Sequence, residues 1–72
     1  MARYLNISGN SPVTSYKIND SSITVAFRGA TKPYTYSYAK AGSAHVENMK
    51  KLAINGAGLS AYITRNVKFL YD

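Results

Sequence analysis

A strict alternation of apolar and polar residues over positions 23–27 constrains the fold more than any other feature of the sequence. In an extended strand, side chains two residues apart leave the same face, so Ile23, Val25 and Phe27 share one side. The polar run at positions 19–22, Asn-Asp-Ser-Ser, is typical of a turn. The segment therefore predicts a half-buried β-strand that begins just after a turn.

Three tyrosines repeat the same two-residue spacing at Tyr34, Tyr36 and Tyr38. As a strand they form one aromatic row, which is either a platform for stacking bases or a part of the core. The neighbouring strand has a single apolar row, Ile23, Val25 and Phe27. The predicted helices must pack against an apolar sheet face, and the tyrosines most economically belong to that same face. We therefore expect Tyr34 and Tyr36 in the core, and we expect Tyr38, at the strand's end, to keep an exposed ring.

Two further segments extend the predicted sheet. Residues 13–18 are rich in β-branched and aromatic side chains and predict a strand, while residues 28–32 form the turn before the tyrosine strand. Residues 2–8 predict a short strand or an ordered arm, and the turn residues Gly, Asn and Pro at 9–12 follow it. At the other end, residues 67–71 either extend a preceding helix or form a final edge strand or an extended tail, and the alternation of Val67, Phe69 and Tyr71 favours the strand or extended tail.

Beyond Tyr38 the apolar spacing changes to that of a helix. Apolar residues recur at Val46, Met49, Leu52 and Ala53, and Ser43 is a candidate N-cap, with an entry near residue 40 as the alternative. Gly56 predicts a left-handed helix stop, and residues 59–66 predict a second, shorter helix. The fold class is therefore α+β: a three- to four-stranded antiparallel meander covered on one face by two helices.

Length and composition place the chain in a narrow class. Its 72 residues, read as a single domain 1–72, contain no cysteine, so neither a disulfide nor a thiolate metal site stabilises it. No apolar run approaches the length of a membrane span, and the N-terminal residues lack the apolar region of a signal peptide. We expect a soluble cytoplasmic protein with no membrane partner.

The charge balance is strongly basic. Nine Lys and Arg residues against three Asp and Glu give a net charge of +6, which favours RNA or another polyanion as partner, or an acidic protein surface. Ordinary solubility is the alternative explanation. The candidate nucleic-acid contacts are Lys17, Arg28, Lys32, Tyr38, Lys50, Lys51, Arg65 and Lys68.

The order of these segments resembles the KTSC domain family, small bacterial domains that also occur at the C-terminus of some lysyl-tRNA synthetases. The resemblance covers about residues 11–71, and Tyr38 departs from it by standing where the family has a polar or acidic residue. The resemblance implies the α+β fold, and RNA binding is the activity suggested for the family. The matching segments are VTSY at 13–16, ITVAF at 23–27 with the glycine that follows, YTY at 34–36, and AINGAGL at 53–59 with Tyr62 and Ile63.

The glycine-rich turn at 56–61 matches the formal pattern of a dinucleotide site, but it follows a helix rather than a strand, so we reject that interpretation. Backbone N–H groups near Gly58 and Ser60 remain a candidate anion seat, and a plain turn between helices is the alternative. His45 is the only histidine, and the sequence indicates no metal site, cofactor or catalytic residue.

Three functions of different classes stay open at this stage. The first is a non-catalytic module that binds nucleic acid, RNA rather than DNA, through its basic surface. The second is a protein-interaction module, phage-encoded or host-targeting, whose exposed tyrosines and basic residues hold an acidic partner. The third is an obligate homodimer that pairs edge strands, and the sequence leaves open whether the chain is a monomer or a homodimer.

Overall fold

A computed structural model describes residues 1–7, 9 and 11–72. Ser8 of the predicted N-terminal arm and Asn10 of the predicted turn lie outside the described residues. The strands are β1 (Ala2–Arg3), β2 (Val13–Ile18), β3 (Ser22–Phe27) and β4 (Tyr34–Ser37). The helices are α1 (Tyr38–Ala41), α2 (Ser43–Asn55) and α3 (Leu59–Tyr62), and α3 runs into a π-helical turn (Ile63–Val67).

The four strands form one antiparallel sheet in the order β1-β2-β3-β4, which confirms the predicted meander and the α+β class. Tyr16 lies opposite Val25 in the register of β2 with β3, and Tyr36 lies opposite Ile23 in the register of β3 with β4. Directly opposed residues share a face of the sheet, so the predicted apolar rows do lie on one side.

A β-bulge between Val13 and Ser15 keeps β2 in step with this face. Val13 lies opposite Phe27, and Tyr16 lies opposite Val25, although Val13 and Tyr16 are an odd number of residues apart. The extra residue of a bulge shifts the alternation by one position, so both side chains reach the core face. Val13 is consequently buried.

The opposite face of the sheet is polar, as predicted. Thr24 and Thr35 lie opposite one another there, and their hydroxyl oxygens are 2.9 Å apart in a hydrogen bond. Lys17 lies opposite Thr24 on the adjacent strand and is exposed.

The transition from sheet to helix differs from the prediction. Tyr38 is the first residue of α1 and not the last of a strand, because the Ser37 side chain accepts a hydrogen bond from the Lys40 N–H and caps the helix. Ser43 is not an N-cap either. Gly42, with φ of 95°, separates α1 from α2 and occupies that position without a side-chain bond.

Helix α2 carries its apolar stripe inward as predicted, with Val46, Met49 and Ala53 fully buried against the sheet. Gly56 ends the helix in the left-handed conformation, at φ of 82°, and donates its N–H to the Leu52 carbonyl. The predicted helix stop is confirmed.

The C-terminal part of the chain is more helical than predicted. Ile63 and Val67, four residues apart, are both buried, and the helical path therefore continues through Val67. The alternation of Val67, Phe69 and Tyr71 favoured a final edge strand or an extended tail; no strand forms there, since residues 68–69 are a turn and residues 70–72 have no regular secondary structure. The two predicted helices are present, the second as α3 with the π-helical turn, and α1 is an additional short helix.

The N-terminal arm is ordered over its described residues. Tyr4 is buried, and its hydroxyl accepts a hydrogen bond from the Leu59 N–H at 3.4 Å. Ile7 donates its N–H to the Gly56 carbonyl at 2.8 Å. The arm therefore ties the start of the chain to the turn between α2 and α3. In the described part of the chain, no helix is long and apolar enough to cross a membrane.

Two glycines test how closely the arm packs. Gly56 and Gly29 have nearly equal φ angles of 82° and 83°, but a Cβ at Gly56 would lie 2.6 Å from the Leu5 Cβ, while one at Gly29 meets nothing within 4 Å among the described residues. We expect Gly29→Ala to lower the free energy of unfolding by about 1 kcal/mol through the left-handed backbone alone. Gly56→Ala should lose at least about 1 kcal/mol more, because the arm must move. Urea denaturation measures both, and equal losses would show that the arm does not pack there.

Candidate functional site

The predicted tyrosine row divides into three different environments. Tyr36 is 2% exposed and belongs to the core, as predicted. Tyr34 is half-buried, and its ring centroid lies 5.8 Å from that of Phe27, with the planes tilted by 59°. Tyr38 lies on α1, away from the row. The row is therefore no platform for stacking bases along the strand.

A new aromatic neighbour comes from the C-terminal tail. The Tyr71 ring centroid lies 4.7 Å from that of Tyr34 and 6.3 Å from that of Tyr36. Polar contacts hold the tail beside β4: the Asp72 N–H donates to the Thr35 carbonyl at 2.7 Å, and the Ser37 hydroxyl donates to the Asp72 carboxylate at 2.8 Å. The tail thus brings a third aromatic side chain to the edge of the sheet.

These rings line an open cleft of about 280 Å³ that we call the aromatic cleft. It lies between the edge of the sheet and the π-helical turn. Phe69 is 76% exposed at its rim, and the Lys68 ammonium lies 5.3 Å from the centroid of the Phe69 ring. Its lining residues are Phe27, Tyr34, Tyr36, Ile63, Thr64, Lys68, Phe69 and Tyr71.

Burial sets the chemistry of the deepest phenol in the cleft. Burial, with smaller contributions from Tyr34 and Tyr71, raises the pKa of Tyr36 from 10.0 to about 12. The hydroxyl therefore stays protonated, and able to donate a hydrogen bond, to a higher pH than an exposed tyrosine does.

A second open cavity, of about 400 Å³, adjoins the aromatic cleft, and we call it the basic groove. The two share Thr64, Lys68 and Phe69, so Phe69 forms a wall of both. Arg65 and Lys68 give the groove its positive charge. Its lining residues are Thr64, Arg65, Asn66, Lys68, Phe69 and Leu70.

The predicted cationic contacts are spread over the surface, and two of them line the cavities. Arg65 and Lys68 line the groove, while Arg28 and Lys32 lie on the loop that joins the cleft residues Phe27 and Tyr34. All four are exposed. Of the remaining exposed cations, Lys17 lies on the polar face of the sheet and Lys51 lies on α2, so neither lines the cleft or the groove.

Lys50 and Tyr38 are engaged with other residues of the chain. The Lys50 ammonium lies 2.9 Å from the Glu47 carboxylate, donates to the Asp20 carbonyl at 3.1 Å, and sits 5.4 Å from the Tyr38 ring centroid. The Tyr38 hydroxyl donates to the same carboxylate at 2.5 Å. This cluster ties α1 and α2 to the β2–β3 turn, and the ligand contact predicted for Lys50 and Tyr38 stays a prediction.

Hydrogen bonding within this cluster shifts its titration. The Tyr38 hydroxyl bond, followed by the Lys50 ammonium, lowers the pKa of Glu47, and the Glu47 carboxylate raises the pKa of both Tyr38 and Lys50. Lys50–Glu47 is the one ion pair among the described residues. Arg65 and Lys68 are exposed to solvent, and neither forms an ion pair with an acidic side chain among the described residues.

The candidate anion seat at Gly58 and Ser60 is partly occupied by the protein itself. The Leu59 N–H between them donates to the Tyr4 hydroxyl, and the Ser60 carbonyl accepts from the Thr64 hydroxyl at 3.0 Å. The anion site stays a prediction, and the Leu59 N–H is no longer available to it as a hydrogen-bond donor.

His45 is half-buried between helices. Its Nδ1 lies 2.7 Å from the Tyr62 hydroxyl, which also accepts a hydrogen bond from the Asn48 side chain at 3.2 Å. The contact joins α2 to α3, a pairing that the sequence did not predict.

Phe69 and Tyr71 are the site residues that sequence reasoning missed. Their alternation with Val67 suggested a strand, whereas Val67 ends the helical path and the two aromatic residues lie beyond it. An available signal was the pairing of aromatic residues with the adjacent Lys68 in a strongly basic chain.

Comparison with known proteins gives no match: no family model, no curated protein and no solved structure is significantly similar to this chain.

The buried phenol predicts a specific sensitivity to alkaline pH. Because the pKa of Tyr36 is raised to about 12, the unfolded chain releases this proton from about pH 10 while the folded chain retains it. Stability from Tyr36 is therefore complete below pH 10 and is lost as pH rises, by on the order of 2 kcal/mol at pH 12. Urea denaturation from pH 9 to 12 should show a steeper loss for the native chain than for Tyr36→Phe, and parallel curves would contradict the assignment.

The Tyr38–Glu47 contact makes an opposite prediction at acidic pH. The pKa of Glu47 is lowered, so its contribution to stability is present above the ordinary pKa of 4.5 and is lost as pH falls through the folded value. Tyr38→Phe removes the larger cause and should raise the pKa of Glu47 toward the ordinary value, as measured by NMR titration of its carboxyl carbon. Tyr62→Phe, which removes a hydroxyl elsewhere, is the control. An unchanged Glu47 titration in Tyr38→Phe would refute the bond.

Proposed function

We propose that this chain is a non-catalytic module that binds single-stranded nucleic acid, with RNA as its first ligand. The observation that carries the proposal is an aromatic cleft beside a groove that is lined by the exposed cations Arg65 and Lys68, on a domain of net charge +6. Unpaired bases stack on aromatic rings regardless of sequence, and phosphates bind lysine and arginine.

The geometry favours single strands over a duplex. The aromatic rings lie in a cleft of about 280 Å³, which admits one unstacked base and excludes a base-paired helix. Phe69 offers an exposed ring at the rim, where a base can reach it. Hydroxyl groups of the tyrosines that line the cleft offer partners for the ribose 2′-hydroxyl, which is the group that distinguishes RNA from DNA.

The proposed contacts differ from those inferred from charge alone. Arg28, Lys32, Arg65 and Lys68 bind the phosphates nearest the cleft, and Lys17 and Lys51 act on more distant phosphates of a longer strand. Lys50 and Tyr38 are left out because their partners are within the chain. Membership of the KTSC domain family is part of the same proposal and rests on the sequence segments that resemble it.

A protein-interaction module is the second candidate, and a different surface supports it. Leu5, Ile7 and Ile54 are 68%, 70% and 60% exposed, and all three lie close to Gly56 along the chain or across the arm. Exposed apolar side chains grouped in this way are typical of protein contacts. If this candidate is correct, Ile7→Ser with Ile54→Ser abolishes a complex that survives nuclease and high salt.

Salt dependence tests the leading candidate. Binding of a labelled single-stranded RNA octamer, followed by fluorescence anisotropy, should weaken with KCl with a logarithmic slope of about −0.7 for each phosphate contact. Four contacts give a slope of roughly −3. Arg65→Gln and Lys68→Gln should each weaken binding and reduce the slope by about 0.7, because each removes one contact.

Lys50→Gln is the matched control for charge. It changes the net charge by the same amount, but the ammonium it removes is held by Glu47, so the slope for the octamer should not change. Circular dichroism checks that each variant is folded. Equal weakening by all three variants, together with equal affinity for heparin, would reduce the interaction to bulk charge and would contradict the proposal.

A further inference from the structure

We infer that the aromatic cleft and the basic groove together form a site for one nucleotide, with the base in the cleft and its phosphate in the groove. This inference rests on the proposed function. It adds that the site holds a single nucleotide, and it gives the orientation of that nucleotide. Three observations support it: the chemistry of the cleft, the chemistry of the groove and the residues that the two share.

The cleft has the chemistry of a base pocket. Its walls are mainly rings, its volume of about 280 Å³ lies near the lower end of the range for small-ligand pockets, and Phe69, one of its lining residues, is 76% exposed. The Tyr34 and Tyr71 rings are tilted by 57° to one another and already contact each other. A base therefore stacks on the exposed Phe69 ring, while the edges of the tyrosines and their hydroxyls meet its polar edge.

The groove has the chemistry of a phosphate site. The Thr64 hydroxyl donates to the Ser60 carbonyl, and the Asn66 side chain donates to the Tyr62 carbonyl at 3.2 Å, so both are engaged within the helix. Arg65 and Lys68 are the charged groups that remain to bind an anion. A guanidinium beside an ammonium suits a phosphate, which accepts paired hydrogen bonds from arginine.

The shared wall fixes the direction of the nucleotide. The Lys68 ammonium lies 5.3 Å from the centroid of the Phe69 ring, at the boundary between the two cavities. The Asp72 carboxylate, next in the chain to the cleft residue Tyr71, is bonded to Ser37 on β4 and lines neither cavity. Attraction to Arg65 and Lys68, the cations that line the groove, places the phosphate on their side, and the ribose spans the boundary.

NMR titration of the full chain with three small ligands tests this assignment. Uridine 5′-monophosphate should shift resonances of both cavities, uridine should shift those of the cleft, and ribose 5-phosphate should shift those of the groove. Phe69→Ala should weaken uridine 5′-monophosphate about fivefold or more, because it removes the stacking ring, and should leave ribose 5-phosphate unchanged. Ile54→Ala, which truncates another exposed apolar residue outside both cavities, is the control and should change neither affinity.

The same samples separate failure of this inference from failure of the proposed function. If the RNA octamer binds but uridine 5′-monophosphate shifts only the resonances of scattered cationic residues such as Lys17 and Lys51, the one-nucleotide site is wrong and the proposed function stands. Equal weakening of both phosphate ligands by Phe69→Ala also overturns the site. If the octamer itself fails to bind, the proposed function fails with it.

Discussion

The packing of Tyr71 on Tyr34, with ring centroids 4.7 Å apart, is the contact on which the candidate site depends. It joins the last residues of the chain to the edge strand of the sheet, and the hydrogen bonds of Asp72 to Thr35 and Ser37 hold it in place. Without it, the sheet would end in an exposed aromatic edge. With it, the tail and the π-helical turn enclose a cleft that joins aromatic rings to exposed cations.

Much of the fold could be predicted from local patterns in the sequence. Alternation placed Ile23, Val25 and Tyr36 on one face, and Gly56 marked the end of α2, because both signals depend on neighbouring residues alone. The point at which the sheet gives way to a helix was harder to predict. The alternating pattern of a strand continues through Tyr38, but the Ser37 side chain caps a helix that begins at Tyr38. At Val67, burial against the core outweighed an alternation that is typical of strands.

The candidate site was predicted only in its charge. Net charge follows from composition, but whether a cation is available to a ligand depends on contacts between distant parts of the chain. Lys50 shows this, because its partners are Glu47 on its own helix and the Asp20 carbonyl, 30 residues away. Phe69 and Tyr71 show the reverse case, since only the folded tail brings them to the same cleft as Tyr34.

We propose that an unpaired base contacts the Phe69 and Tyr71 rings of the C-terminal tail, and not the whole row formed by Tyr34, Tyr36 and Tyr38. Ultraviolet cross-linking of the native chain to a single-stranded RNA octamer, followed by tryptic digestion and mass spectrometry, tests it directly. Cleavage after Lys68 isolates the tail, residues 69–72, as one peptide. We expect this peptide to carry most of the cross-linked RNA. Adducts confined to peptides from the polar sheet face around Lys17 would contradict it.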